Sequence, residues 1–120
     1  MYFDLAISKT LKSRSHSFNL DIAFQSICQR LVVFGPSGSG KTILLNMIAG
    51  LLTPEEGHIR LADRTFYDKA EKICLKPQQR NIAYLFQDYS LFPHLTVRQN
   101  IGFGLHKGLL NPRVNTTCPE

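Results

Sequence analysis

No stretch of the 120 residues approaches the length of apolar run needed to cross a membrane. The opening, Met1-Tyr2-Phe3-Asp4, has neither the basic head nor the apolar core of a secretory leader. Cysteine is scarce: Cys28, Cys74 and Cys118 lie far apart, are odd in number and form no C-x-x-C pair. That points away from a disulfide framework and predicts free thiols in a reducing compartment. The four histidines, His16, His58, His94 and His106, show no metal-ligand spacing among themselves, so no zinc site is expected. Acidic residues are in the minority, 9 against 14 basic, which sets a net charge of +5. Such a balance suits phosphates, an anionic membrane face or nucleic acid, or is simply a mildly basic solvated surface. Basic and aromatic residues do not interleave in the RNA-binding manner, so no nucleic-acid partner is expected. There are no internal repeats and no low-complexity tract.

What is present is ordinary in bulk: the length and the 43% hydrophobic content allow one modest domain. One stretch is not ordinary. Leu31-Val32-Val33-Phe34 is a short apolar run that reads as a buried strand. It leads into Gly35-Pro36-Ser37-Gly38-Ser39-Gly40-Lys41-Thr42, which fits G-x-x-x-x-G-K-[ST]. Ile43, Leu44, Leu45, Met47, Ile48 and Leu51 then recur at helical spacing. A triphosphate is a dense anion that needs many donors close together. Glycines at 35, 38 and 40 let the backbone approach it with no Cβ in the way. The loop's N–H groups form an anion nest, and the helix N-terminus adds its dipole. Lys41 would reach the β- and γ-phosphates as a mobile charge, and Thr42 would offer its hydroxyl to Mg²⁺. The bland alternative is a chance glycine-rich turn before a basic helix start.

Elsewhere the pattern is mixed. Tyr2 to Ile7 and Phe18 to Phe24 alternate and predict two antiparallel strands, joined by a basic loop over Lys9 to His16. Gly50 and Pro54 stop the helix. Gly57 to Asp68 predicts a β-hairpin with its turn at Asp63-Arg64. Lys69 to Arg80 reads as a polar surface connection. Asn81 to Phe86 reads as a second buried strand, with Gln87 and Asp88 at the end where α/β sheets place ligands. Thr96 and Gln99 fit a capping box, so a helix is expected from Val97 to no further than about Leu105. The expected domain is 1–107, with an irregular tail over 108–120.

Three runs, GPSGSGKT, LLNMIAGLLTPEEGHIRL and IAYLFQDYSLFPHLTVRQNIGFGL, together closely resemble the N-terminal half of ABC-transporter ATPase subunits. Gly35 to Thr42 matches that family's Walker A loop, and Gln87, about 45 residues later, its Q-loop glutamine. The text is most similar to subunits that power importers of small solutes. Cys74-Leu75-Lys76-Pro77-Gln78-Gln79-Arg80 is similar to the molybdate importer's ATPase, while sulfate, iron, polyamine and sugar importers share LFPHLTV-like text.

The resemblance implies an α/β P-loop NTPase: a partial core sheet with the P-loop helix, plus an antiparallel β layer. It implies ATP and Mg²⁺ as ligands, with Gln87 contacting Mg²⁺ or the attacking water. The bland reading of Gln87 is a polar strand-end residue. The implied partners are transmembrane permease subunits and a second ATPase subunit, on the inner face of the cell membrane in the cytoplasm. Leu91-Phe92-Pro93-His94 would face the permease, or else pack on its own domain. ATP hydrolysis would drive uptake, molybdate being the first choice of solute.

The departures are as informative. No signature loop, Walker B strand, D-loop or switch histidine can be assigned, so the sequence looks like an N-terminal piece, and no catalytic residue is nominated. Glu55 and Glu56 read as a solvated turn. Ile43 stands where the family usually has a second hydroxyl, and Leu11 to Ser17 offers no aromatic for adenine, only His16. The expectation is weak ATP binding with hydrolysis near background. The alternatives are a non-hydrolytic nucleotide-binding fragment and an unrelated P-loop kinase or GTPase, for which no specificity text is found.

Overall fold

The computed structural model describes residues 1–88 and 91–103. The early alternation becomes a long hairpin. β1 (Phe3–Lys12) and β2 (Ser17–Ser26) run ten residues each and pair antiparallel from Phe3↔Ser26 to Lys12↔Ser17. The turn closes where the Ser13 N–H donates to His16 O at 2.8 Å. β1 thus runs past Ile7 to Lys12, through residues whose polarity suggested a loop. Their cross-strand partners on β2, Leu20 opposite Lys9 and Phe18 opposite Leu11, keep the ladder going.

β1 also pairs with β3 (Glu56–Leu61), which forms the expected hairpin with β4 (Arg64–Asp68). Its turn lies one residue earlier than expected, at Ala62-Asp63, with Ala62 in the left-handed region at φ 52°. A short β5 (Ile73–Cys74) completes one antiparallel sheet of order β2-β1-β3-β4-β5. A bulge between Ile59 and Arg60 breaks strict alternation, and the neighbours Phe66 and Tyr67 are both buried.

Helix α1 (Lys41–Ala49) contributes Leu44 and Met47 to the core, where they join Leu5, Ile7, Leu20, Ile59, Phe66 and Tyr67 of the sheet. These two helix residues are three apart and so lie on one face. Burial of this apolar surface is the main stabilising term. Odd positions of β1 and β3, such as Leu5 and Ile59, face this core. Asp4, His58 and Arg60 occupy the other face.

Two expectations fail here. Leu31–Phe34 and Asn81–Phe86 are not strands. Phe34 is 97% exposed, Val32 87% and Leu85 95%. A parallel strand buried on both faces needs neighbours on both sides. Among the described residues neither run is paired into a sheet, so the partial parallel core is not formed. The expected connection over 69–80 is also structured. It holds β5 and α2 (Pro77–Arg80), and Arg80 is buried at 2% exposure.

The chain divides into two compact units, Met1–Tyr84 and a second beginning at Leu85. The second unit contains α3 (Val97–Gly102), which starts at the expected capping box. The Gln99 N–H donates to Thr96 Oγ1 at 3.2 Å and the Thr96 N–H to Gln99 Oε1 at 2.9 Å. Asn100, unremarked in the sequence, holds the preceding turn: its Oδ1 accepts from the Phe92 N–H at 2.8 Å, and its Nδ2 donates to Thr96 O at 3.0 Å. The expected tail over 108–120 lies outside the described residues.

Candidate functional site

The glycine-rich run forms a tight loop that opens α1. Gly38 and Gly40 adopt φ 80° and 95°, the left-handed region that glycine enters without cost. The Ser39 N–H closes a turn onto Pro36 O at 3.2 Å. Gly40 is buried against β2: a Cβ there would lie 2.7 Å from Leu20 Cδ1 and 3.2 Å from the Phe18 ring. Gly35 is constrained from inside the loop, where a Cβ would meet Ser39 Oγ at 2.8 Å. Gly40 is also the N-cap of α1, and no side chain caps the helix. The opening N–H groups of α1 thus have no side-chain cap, the condition in which a helix N-terminus can receive an anion.

Lys41, the first residue of α1, folds back over the loop. Its Nζ donates to Gly35 O at 2.7 Å and Pro36 O at 2.6 Å, and lies 3.4 Å from Ser39 Oγ. An ammonium on two carbonyls has an accessible exchange: phosphate oxygens offer full negative charge in place of carbonyl dipoles. Thr42 is exposed on the first turn, where its hydroxyl is open to a cation, and Ser37 is exposed on the loop. An open cleft of about 280 Å³ is lined by Gly35, Pro36, Ser39, Gly40 and Lys41 together with Ile22, Val33, Phe34 and Leu44. This is just below the usual range of small-molecule sites, about 300–1,000 Å³, and the cleft opens to solvent.

The structure thus brings Gly35 to Thr42 together in the first unit. Gln87 falls in the second unit, in an exposed bend. Within that unit Phe92 stacks on Phe103 at 4.4 Å between ring centroids, while Leu91 is 66% exposed. Glu55, as expected, is exposed; it is tied to β1 through Lys9 at 3.5 Å and the Thr10 N–H at 3.2 Å.

Sequence reasoning missed the far end of α1. The helix ends at Gly50, φ 84°, whose N–H donates to the carbonyls of Asn46 and Met47. There Arg80 Nη1 donates to Met47 O at 2.8 Å and Ile48 O at 2.7 Å, and its Nε to Leu75 O at 2.9 Å. Burial pulls the Arg80 guanidinium below its ordinary pKa. Gly50 is required twice over, since a Cβ would lie 2.7 Å from Arg80 Nε. In sequence Gly50 signals only a helix stop, and nothing beside Arg80 links it to a helix some thirty residues earlier.

On the outer face of the sheet, Asp4 meets His58 at 3.0 Å and accepts from Gln25 Nε2 at 3.0 Å. These hydrogen bonds hold its carboxyl below the usual range. Asp68 is lowered first by the Glu71 N–H, at 3.1 Å, and also by Arg60, at 2.7 Å. Both carboxylates are satisfied within the sheet, and no group of three or more His, Cys, Asp or Glu among the described residues is placed to hold a metal. Cys28 and Cys74 are free and exposed.

A loop with two left-handed glycines, opening an uncapped helix and folding its lysine over its own carbonyls, has the build of a P-loop. Residues 19–118 match the family described as ABC transporter, and the chain belongs to that family, whose domain is a P-loop NTPase. The antiparallel sheet with α1 forms part of such a domain. The chain is 45% identical over 107 residues to the Molybdenum import ATP-binding protein ModC of Mannheimia succiniciproducens, covering 89% of this chain and 30% of that protein. It is 45% identical over 91 residues to the ModC of Rhodospirillum rubrum (76% and 25%). It is 44% identical over 101 residues to that of Vibrio cholerae (84% and 27%). The chain therefore spans at most about a third of the length of these relatives. No helix among the described residues is long and apolar enough to cross a membrane.

Proposed function

We propose that the chain binds ATP with Mg²⁺ as part of the motor subunit of an ABC importer that couples ATP hydrolysis to molybdate uptake. The observation that carries this is the Lys41 ammonium held at the mouth of the loop by Gly35 O and Pro36 O, beside uncapped helix N–H groups. The backbone of Gly35, Pro36, Ser37, Gly38, Ser39 and Gly40 would cradle the β- and γ-phosphates, and Lys41 would move from the carbonyls to phosphate oxygens. Thr42 would offer its hydroxyl to Mg²⁺, which when bound neutralises phosphate charge, and Gln87, by its likeness to the family's Q-loop glutamine, would contact Mg²⁺ or the attacking water.

The ModC names of the relatives support the choice of solute. The partners would be the transmembrane permease subunits and a second ATPase subunit, at the cytoplasmic face of the membrane. Hydrolysis by this chain alone is expected near background, because none of its carboxylates is assignable as the base that positions water. Calorimetric titration with Mg·ATP and with AMP tests the reading. Heat of binding that requires the polyphosphate supports it. Equal affinity for AMP would refute a phosphate-gripping loop, and strong turnover would refute the absence of a base.

A further inference from the structure

At nine residues, α1 is about 13 Å long, too short to hold its own direction in water. Where its N-terminal N–H groups point is set by what grips the rest of it. The core fixes Leu44 and Met47, and the C-terminal end is fixed by Arg80. Arg80 is 2% exposed, and its guanidinium spans from α1 to Leu75 O. It is itself held from behind. Arg64 donates to Gln79 O at 2.7 Å and Arg80 O at 3.0 Å, and both guanidinium groups lie about 5.5 Å from the Phe66 ring. Four residues on, Tyr84 Oη donates to Asn46 Oδ1 at 2.7 Å, a second tie from the same segment to the same helix.

No carboxylate among the described residues pairs with Arg80; the helix's own C-terminal carbonyls receive its charge. A cation at the negative end of a helix dipole complements an anion at the positive end.

We propose that Arg80 is a positioning residue for nucleotide binding: by clamping the C-terminal carbonyls of α1, it aims the helix's N-terminus at the phosphates and couples phosphate occupancy to the segment 80–84. This rests on the reading of Gly35 to Thr42 as a phosphate site. Because coupling is reciprocal, occupancy of the loop must be felt at Arg80. A guanidinium that merely fills a core position would not feel it.

The test is side-chain NMR of the full 120-residue chain, following the Arg80 Nε–H resonance during titration with Mg·ADP. The resonance is expected to shift with the same midpoint as binding itself. Folded Arg80→Lys, which keeps the charge but not the fork, is expected to bind Mg·ADP roughly five- to tenfold more weakly. Tyr84→Phe is expected to weaken binding roughly two- to fivefold with its circular dichroism unchanged. Wild-type chain that binds Mg·ADP while the Arg80 resonance stays still overturns the proposal, whether or not the lysine variant folds. Equal affinity in folded Arg80→Lys overturns it too. Wild-type chain that does not bind Mg·ADP overturns the phosphate-site reading and this inference with it.

Discussion

Replacing Gly40 by alanine strikes two constraints at once. The left-handed backbone at φ 95° costs an L-residue about 1–2 kcal/mol. The new methyl would also sit 2.7 Å from Leu20 Cδ1, and Leu20 is only 6% exposed, so its side chain has little room to retreat. Crowding of that kind costs about 1–3 kcal/mol more. The expected loss is thus about 2–5 kcal/mol, a large share of the roughly 5–15 kcal/mol that holds a domain together.

Gly38→Ala is the control. It carries the same backbone penalty at φ 80°, but nothing lies within 4 Å of its Cβ, so its cost should stop at about 1–2 kcal/mol. Urea unfolding followed by circular dichroism gives each loss. Leu20→Val, which withdraws the crowding δ-methyl, should recover about 1 kcal/mol in the Gly40→Ala background relative to additivity. If the two glycine variants lose equal stability, and Leu20→Val adds independently, the loop is not packed on β2 in the way described.

Met47→Ala should destabilise the chain by about 2–5 kcal/mol in the same unfolding assay, because Met47 is fully buried between α1 and the sheet. Asp4 has a folded pKa depressed by its bonds to His58 and Gln25, so its contribution is complete above the ordinary carboxylate value of about 3.9 and is lost as pH falls through the lower folded value. Acid titration of stability should therefore be shallower in Asp4→Asn below about pH 4, and an unchanged acid limb would contradict the pairing. Thr96→Ala removes the α3 cap and should cost about 1 kcal/mol of local stability, read as faster hydrogen exchange at Gln99, whose N–H it frees.

Much of this was legible wherever a local rule and the tertiary structure agree. The β1–β2 and β3–β4 hairpins followed from alternation, α1 from its apolar spacing, and α3 from the Thr96/Gln99 box. The loop over Gly35 to Thr42 was legible because its backbone constrains residue type: Gly38 and Gly40 are left-handed, and Gly40 has no room for a Cβ against β2. The failures share a different cause. Leu31–Phe34 and Asn81–Phe86 have strand composition, but a strand exists only where something pairs with it, and composition does not report that. Arg80 was hidden because polar text ordinarily means solvent. A guanidinium can be buried when helix-end carbonyls receive it, and that partnership joins residues too far apart for any spacing rule to see.

The proposed function requires above all that Lys41 and the loop's amides grip a polyphosphate. Calorimetry of Mg·ATP binding to the wild-type chain and to Lys41→Ala, with both confirmed folded, tests it most directly. Removing one charge-assisted partner, worth about 1.5–3 kcal/mol, predicts affinity at least about tenfold weaker in the variant. Equal affinity in the two chains, or no binding by the wild type, would contradict the account.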